Sequence, residues 1–315
     1  MTAPGSSTLA ERPARQEAEP ADVRVHAWRG YHCESRIVRA PEPRLAPVLL
    51  IGGALQRKEE WGRLERHLLA HADVISVDLP GWGAGDPLPE EHGSGFLADA
   101  LAHMLAERGL DRVNVLGGSY GTAVAYRLAQ SHPARVARML LLSTMEVITG
   151  EARHAMRRIL SLVDEDADRD TLAEACVSLL MGGGPDRPGA EAVQSGTAVR
   201  RMLLHRFRTA TRHELRMHAA NTRRLLHHRM IDPAPGRPGQ PVLVAIGEHD
   251  TFTPPRLGRK LAATCPEGWF VEIARADHMV HLERTAEVVD LAARFFAGRP
   301  VTGLPYLRRA ERIAP

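Results

Sequence analysis

A mostly parallel, doubly wound α/β sheet interrupted by an all-helical insertion is the fold class that the 315-residue sequence predicts. Three observations carry it. Short apolar runs alternate with helix-length amphipathic segments, as expected of strands buried on both faces and joined by crossover helices. That alternation stops near Met145 and resumes near Pro241. Between those points there is no strand signal, only helical periodicity broken by Gly- and Pro-rich stretches.

Residues 22–28 and 32–39 alternate in polarity around Arg29-Gly30, which predicts an antiparallel hairpin. The run Val48-Leu49-Leu50-Ile51, ending in Gly52-Gly53, opens the parallel sheet. A helix is expected over 58–70, with Trp61, Leu64, Leu68 and Leu69 on one side, and a second buried strand over 74–77 ends at Asp78. After the loop Leu79-Pro80-Gly81-Trp82-Gly83-Ala84-Gly85-Asp86 come a helix over 96–108, a strand over 112–116, a helix over 120–131 stopped by Pro133, and a strand over 136–142. Beyond the insertion the pattern predicts a strand over 241–246, a helix over 255–264, a strand over 269–274 and a helix over 285–297. The expected organisation is a disordered N-terminal tail (1–20), a core formed by 21–144 and 236–299, a helical cap (145–235) and a C-terminal tail (300–315) without a packing signal.

Composition narrows the function classes. With 44% hydrophobic residues the chain can bury a core, and a formal net charge of +3 argues against a general affinity for nucleic acid or membrane. Cys33, Cys176 and Cys265 are odd in number and far apart, so neither a disulfide framework nor a zinc ligand set is implied. The first twenty residues lack the apolar segment of a signal peptide, and no apolar run approaches 18 residues. A cytoplasmic protein without a membrane span is expected. His213 and His218 are five apart, about 140° around a helix, which does not suit a metal pair. There is no phosphate-binding G-x-x-x-x-G-K-S/T loop, so neither metal nor nucleotide cofactor is expected.

Gly117-Gly118-Ser119-Tyr120-Gly121 falls between a predicted buried strand and a helix. A G-x-S-x-G match alone means little in a chain with 27 glycines, but this context is what a nucleophile elbow requires. The flanking glycines, Gly117 and Gly121, let backbone pass close to a sharply turned serine, and the helix N-terminus favours a developing oxyanion. Asp250 follows the next predicted strand, and His278 follows the last one. All three then stand at C-terminal strand ends, where open α/β sheets carry their sites.

The chain order Ser, acid, His is that of the α/β-hydrolases. The sequence resembles an α/β-hydrolase fold protein with a helical cap over roughly residues 22–297. The residues that carry the resemblance are Gly52-Gly53-Ala54, the Asp78-Leu79-Pro80-Gly81-Trp82-Gly83 loop, the elbow, Gly247-Glu248-His249-Asp250, and His278 with Glu283 five residues on. The chain departs from the family twice, with Gly52-Gly53 where His-Gly is usual and Asp277 where Gly usually precedes the histidine.

The resemblance implies Ser119 as nucleophile, His278 as general base and then acid, and Asp250 as its orienting carboxylate. It implies the N–H groups of Tyr120 and of Ala54, with Leu55 as the alternative to Ala54, as the oxyanion hole. His249 and His281 read as loop or packing residues, Glu146 as a lesser alternative acid, and Asp78 as a brace for its loop. The activity implied is cofactor-free cleavage of an ester, thioester or lactone through an acyl-enzyme. An acyltransferase on coenzyme A or acyl-carrier-protein substrates, and a ligand-binding protein with weak turnover, are the alternatives.

Residues 200–230 hold nine arginines and one acid, a local charge of +8 against −5 for the remainder. Two expectations follow from it. The arginines either cover a solvated face and pair with the acidic stretch 164–168, or they attract an anionic or carrier-tethered small-molecule acyl substrate. Phe207 is the sole aromatic residue in that segment, which argues against nucleic acid.

Overall fold

The structure is a computed structural model, and it describes residues 21–182, 190–232 and 236–313. The expected N-terminal tail (1–20) and the Gly- and Pro-rich breaks at 183–185 and 233–235 lie outside the described residues.

In chain order the strands are β1 (Asp22–Trp28), β2 (Tyr31–Val38), β3 (Val48–Ile51), β4 (Val74–Asp78), β5 (Val113–Gly118), β6 (Val136–Leu142), β7 (Val242–Gly247), β8 (Gly268–Ile273) and β9 (Leu307–Ile313). The helices are α1 (Gly62–Leu68), α2 (Ser94–Glu107), α3 (Gly121–Ser131), α4 (Gly150–Asp164), α5 (Arg169–Leu180), α6 (Gly196–Thr209), α7 (Arg212–His227), α8 (Pro255–Ala262), α9 (Val280–Glu283) and α10 (Thr285–Phe296).

All nine strands form one sheet in the order β1-β2-β4-β3-β5-β6-β7-β8-β9. Pairing from β4 through β8 is parallel, while β1/β2, β2/β4 and β8/β9 are antiparallel. Side chains of the central strands alternate between two apolar layers. Leu49 and Ile51 join the layer of Leu97, Val124 and Leu261, whereas Val48 and Leu50 join that of Leu64, Leu291 and Phe295. Such two-sided burial is why these strands read as unbroken apolar runs. Strand order reverses at β3/β5, since the chain leaves β3 towards β4 and leaves β5 towards β6. A crevice opens at such a point above the C-terminal strand ends.

The helical insertion is present as α4 to α7. Side-chain caps define several of its helix starts. Thr149 accepts from the Ala152 N–H, Asp168 from Asp170 and Thr171, and Thr211 forms a reciprocal capping box with Glu214. A third apolar cluster, including Ile159, Leu172, Val177, Leu203 and Phe207, holds these helices together.

Two elements differ from expectation. The helix predicted from residue 58 begins at Gly62, whose φ of +49° breaks any continuous helix upstream of it. Residues 300–315 do not form a mere tail. They carry β9, which closes the sheet edge with only Leu307, Ala310 and Ile313 as apolar residues among seven, too few to stand out as a strand pattern.

Candidate active site

Ser119 sits at the turn between β5 and α3 with a φ of +50°, a strained value for a non-glycine residue. The residues two positions to either side must be glycines for steric reasons. A Cβ at residue 121 would lie 2.1 Å from the Ile51 carbonyl oxygen, and one at residue 117 would lie 2.9 Å from the Gly121 oxygen. The turn is pinned by the Ser119 N–H donating to Leu142 O at 2.9 Å and by the Thr122 hydroxyl donating to Ser119 O at 2.6 Å.

Asp250 and His278 leave the ends of β7 and β8 and converge on that serine. His278 Nε2 lies 3.1 Å from Ser119 Oγ, and its Nδ1 lies 3.0 Å from Asp250 Oδ2. With Nδ1–H donated to the carboxylate, Nε2 is left to accept from the serine hydroxyl. Asp250 also accepts from the Thr253 N–H at 2.7 Å and from the Thr253 hydroxyl. The imidazole is held by its backbone, because its N–H donates to Asp277 Oδ1 at 2.8 Å and its C=O accepts from Ser143 Oγ at 2.7 Å. Asp277, which replaces the usual glycine, thereby braces the histidine. The Phe252 ring lies against the imidazole at 4.8 Å.

The loop after β3 borders the serine, since a Cβ on Gly53 would come within 3.5 Å of Ser119 Cβ. Gly53 O accepts from Trp82 Nε1 at 2.8 Å and from Gln56 N at 3.1 Å. Peptide planarity turns the N–H of Ala54 away from that oxygen. Gly53, Ala54, Leu55, Ser119, Tyr120 and His278 line a cavity of about 400 Å³ that continues under the cap among Met156, Ile159, Leu179, Leu203, Phe207, Leu225, Met279 and Leu282. That volume suits a small molecule, and the walls are overwhelmingly apolar.

The neighbouring residues fall out as follows. His249 lies 3.9 Å from Glu248, and Glu146 lies 3.8 Å from Arg229, so neither is hydrogen-bonded to the His278–Ser119 pair. Asp78 accepts from Lys58 N at 2.8 Å, Lys58 Nζ at 2.9 Å and Ala84 N at 3.0 Å, which braces its loop. His281 packs on Trp61 and lines the cavity; burial, then the proximity of His278, lowers it to about 4. His218 also lines the cavity. Burial lowers it to about 4 against the opposing pull of the Ala54 backbone. Among the described residues no group of three or more His, Cys, Asp or Glu could hold a metal.

Sequence reading missed Asn221, Arg224, Trp82 Nε1 and Thr253 as partners of this site. No sequence signal separates the inward-facing Asn221 and Arg224 of α7 from its outward-facing polar residues. A second carboxylate–His–Ser chain shows what geometry alone is worth. His26 lies 2.5 Å from Glu107 and 2.7 Å from Ser35, but Ser35 is wholly buried inside β2 and is not among the residues that line the cavity at Ser119.

Residues 48–291 match the model of the alpha/beta hydrolase family, and the chain belongs to that family. Among characterised relatives, the biotin biosynthesis bifunctional protein BioHC of Teredinibacter turnerae is 26% identical over 283 residues, covering 81% of this chain and 45% of that protein. This chain therefore spans less than half the length of that relative. A pimeloyl-(acyl-carrier protein) methyl ester esterase of Chromobacterium violaceum is 26% identical over 236 residues, covering 73% of this chain and 85% of the esterase. Among solved structures, MGS-M2, an α/β hydrolase enzyme from a Medee basin deep-sea metagenome library, superposes with a TM-score of 0.75 at 16% identity, covering 90% of this chain and all of that one. Among the described residues no helix is long and apolar enough to cross a membrane.

Proposed function

We propose that this protein is a cofactor-free serine hydrolase that cleaves an ester, thioester or lactone with an apolar acyl group. The observation that carries this reading is the unbroken Ser119–His278–Asp250 hydrogen-bond chain opening on an apolar cavity of about 400 Å³. Ser119 Oγ attacks the substrate carbonyl carbon as its proton passes to His278 Nε2, and Asp250 stabilises the imidazolium that results. The carbonyl oxygen becomes an oxyanion facing the N–H groups of Tyr120 and Ala54. Collapse expels the alcohol or thiol, which takes the proton from His278, and leaves an acyl-Ser119 ester. Water, deprotonated by His278, then releases the acid and restores the serine. The relative from C. violaceum, a methyl ester esterase acting on a pimeloyl-(acyl-carrier protein), supports extending the substrate to an acyl group on a carrier protein.

A fluorophosphonate probe should label Ser119 in the folded protein, with labelling and ester turnover lost in Ser119→Ala. The Ser119→Ala and His278→Ala variants should each lose roughly 10⁴- to 10⁶-fold in kcat. A wild-type protein that turns over esters but carries its phosphonyl group elsewhere overturns the reading.

A further inference from the structure

Two backbone N–H groups, those of Ala54 and Tyr120, are the oxyanion donors in the function proposed above, and a ring of buried contacts joins them. Gly53 O accepts from Trp82 Nε1 at 2.8 Å, and the Trp82 ring lies 5.2 Å from that of Tyr120. Arg224, whose charge acts on the buried Tyr120 phenol, donates to Asn221 Oδ1. Asn221 Nδ2 closes the ring by donating to Ala54 O at 3.1 Å and to Gly81 O at 2.9 Å.

The consequence follows from peptide geometry. Trp82 holds the plane on one side of Ala54 and Asn221 holds the plane on the other. Ala54 therefore cannot turn about either of its two soft dihedrals without breaking a hydrogen bond. Asn221 and Arg224 belong to α7, so the cap reaches into the loop that borders Ser119.

Arg224 is only 1% exposed, and its hydrogen-bond partners are Asn221 and the Leu88 and Pro89 carbonyls, all of them neutral. Among the described residues it has no carboxylate partner, and its Nε is unpaired. A buried charge in that state is a poor way merely to dock a helix, since apolar side chains of similar volume do so at lower cost. It is a good way to hold one amide in one orientation, because a guanidinium fixes the Asn221 oxygen and so aims Nδ2 at the two carbonyls.

We propose that Asn221, oriented by Arg224, is a positioning residue for the oxyanion hole, through which the cap supplies catalytic geometry as well as cavity walls. This rests on Ser119 as nucleophile and Ala54 as an oxyanion donor. Asn221→Asp tests it, because the variant keeps the side-chain size and gives Arg224 a carboxylate, yet turns the donor facing two carbonyls into an acceptor. Asn221→Ala is a second variant without the new charge.

The measurements are kcat and KM on an aryl ester, affinity for a trifluoromethyl ketone that forms a tetrahedral adduct, and affinity for the product carboxylate. In both variants kcat should fall roughly 10- to 100-fold with KM within about threefold of wild type. Ketone affinity should fall by the same factor while product affinity stays unchanged. Wild-type kcat and ketone affinity would overturn the proposal, as would a raised KM with equal weakening of both ligands, the signature of cap docking alone. Failure of the underlying reading looks different: Ser119→Ala would keep its turnover and the ketone would form no adduct in wild type.

Discussion

His281 illustrates how much a single side chain in this cavity wall can determine. It is almost fully buried, and its imidazole is lowered to about 4 from the usual 6.5. Between those two values the unfolded chain binds a proton that the folded chain refuses, so stability is full above pH 6.5 and declines as pH falls towards 4. The decline attributable to His281 is about 3 kcal/mol. Urea unfolding midpoints measured at pH 7 and pH 5 should therefore drop, and His281→Gln should flatten part of that drop; an unchanged slope would mean the residue is not held neutral by burial. Ser119, Asp250 and His278 were legible in the sequence because each follows an apolar run and their chain order is informative. Asn221 and Arg224 were not, since a polar residue turned inward on a cap helix looks the same in sequence as one turned outward.

Elements were legible in proportion to how completely they are buried. The strands β3 to β8 lie under two apolar layers and announced themselves as runs, whereas β9 covers one edge with a largely polar sequence and did not. The join between cap and core was likewise invisible, being made by ions far apart in sequence. Arg206 on α6 lies 2.8 Å from Glu60 and 2.7 Å from Glu214, and Arg57 lies 2.6 Å from the same Glu214. Burial alone would raise the Glu214 carboxyl, but the Thr211 N–H and hydroxyl, with Arg206, bring it down to about 2. Its contribution is therefore present above pH 4.5 and lost as pH falls towards 2. Glu214→Gln should lower the melting temperature at neutral pH and remove that lower acid limb while leaving the limb between pH 6.5 and 4 in place. Parallel curves for variant and wild type below pH 4.5 would count against Glu214 as the junction.

Charge over the whole molecule looks different once the chain is folded. Six of the nine arginines in 200–230 find carboxylates, including Arg212 with Asp166, Arg223 with Asp164, Arg208 with Asp170 and Arg200 with Glu174. Much of the local +8 is thus neutralised in place, partly by the acidic stretch the sequence suggested. Arg201 and Arg216 are exposed and, among the described residues, have no carboxylate partner. Arg201 is the chain neighbour of Met202 on α6, and Met202 is 47% exposed and lines the cavity, so this cation is carried by a helix that forms the cavity wall. Screening limits its reach to about 8 Å at physiological salt, enough to meet a carrier docked on the cap but not to steer a distant small ester. An anionic carrier predicts that Arg201→Glu with Arg216→Glu lowers kcat/KM roughly tenfold or more for an acyl group presented on an acidic carrier protein. The same acyl group as a free methyl ester should be cleaved at the wild-type rate, because neither residue touches Ser119, His278 or Asp250. Equal kcat/KM on the carrier-linked ester in variant and wild type would assign the cap arginines to the solvated face alone and leave a free apolar ester as the substrate.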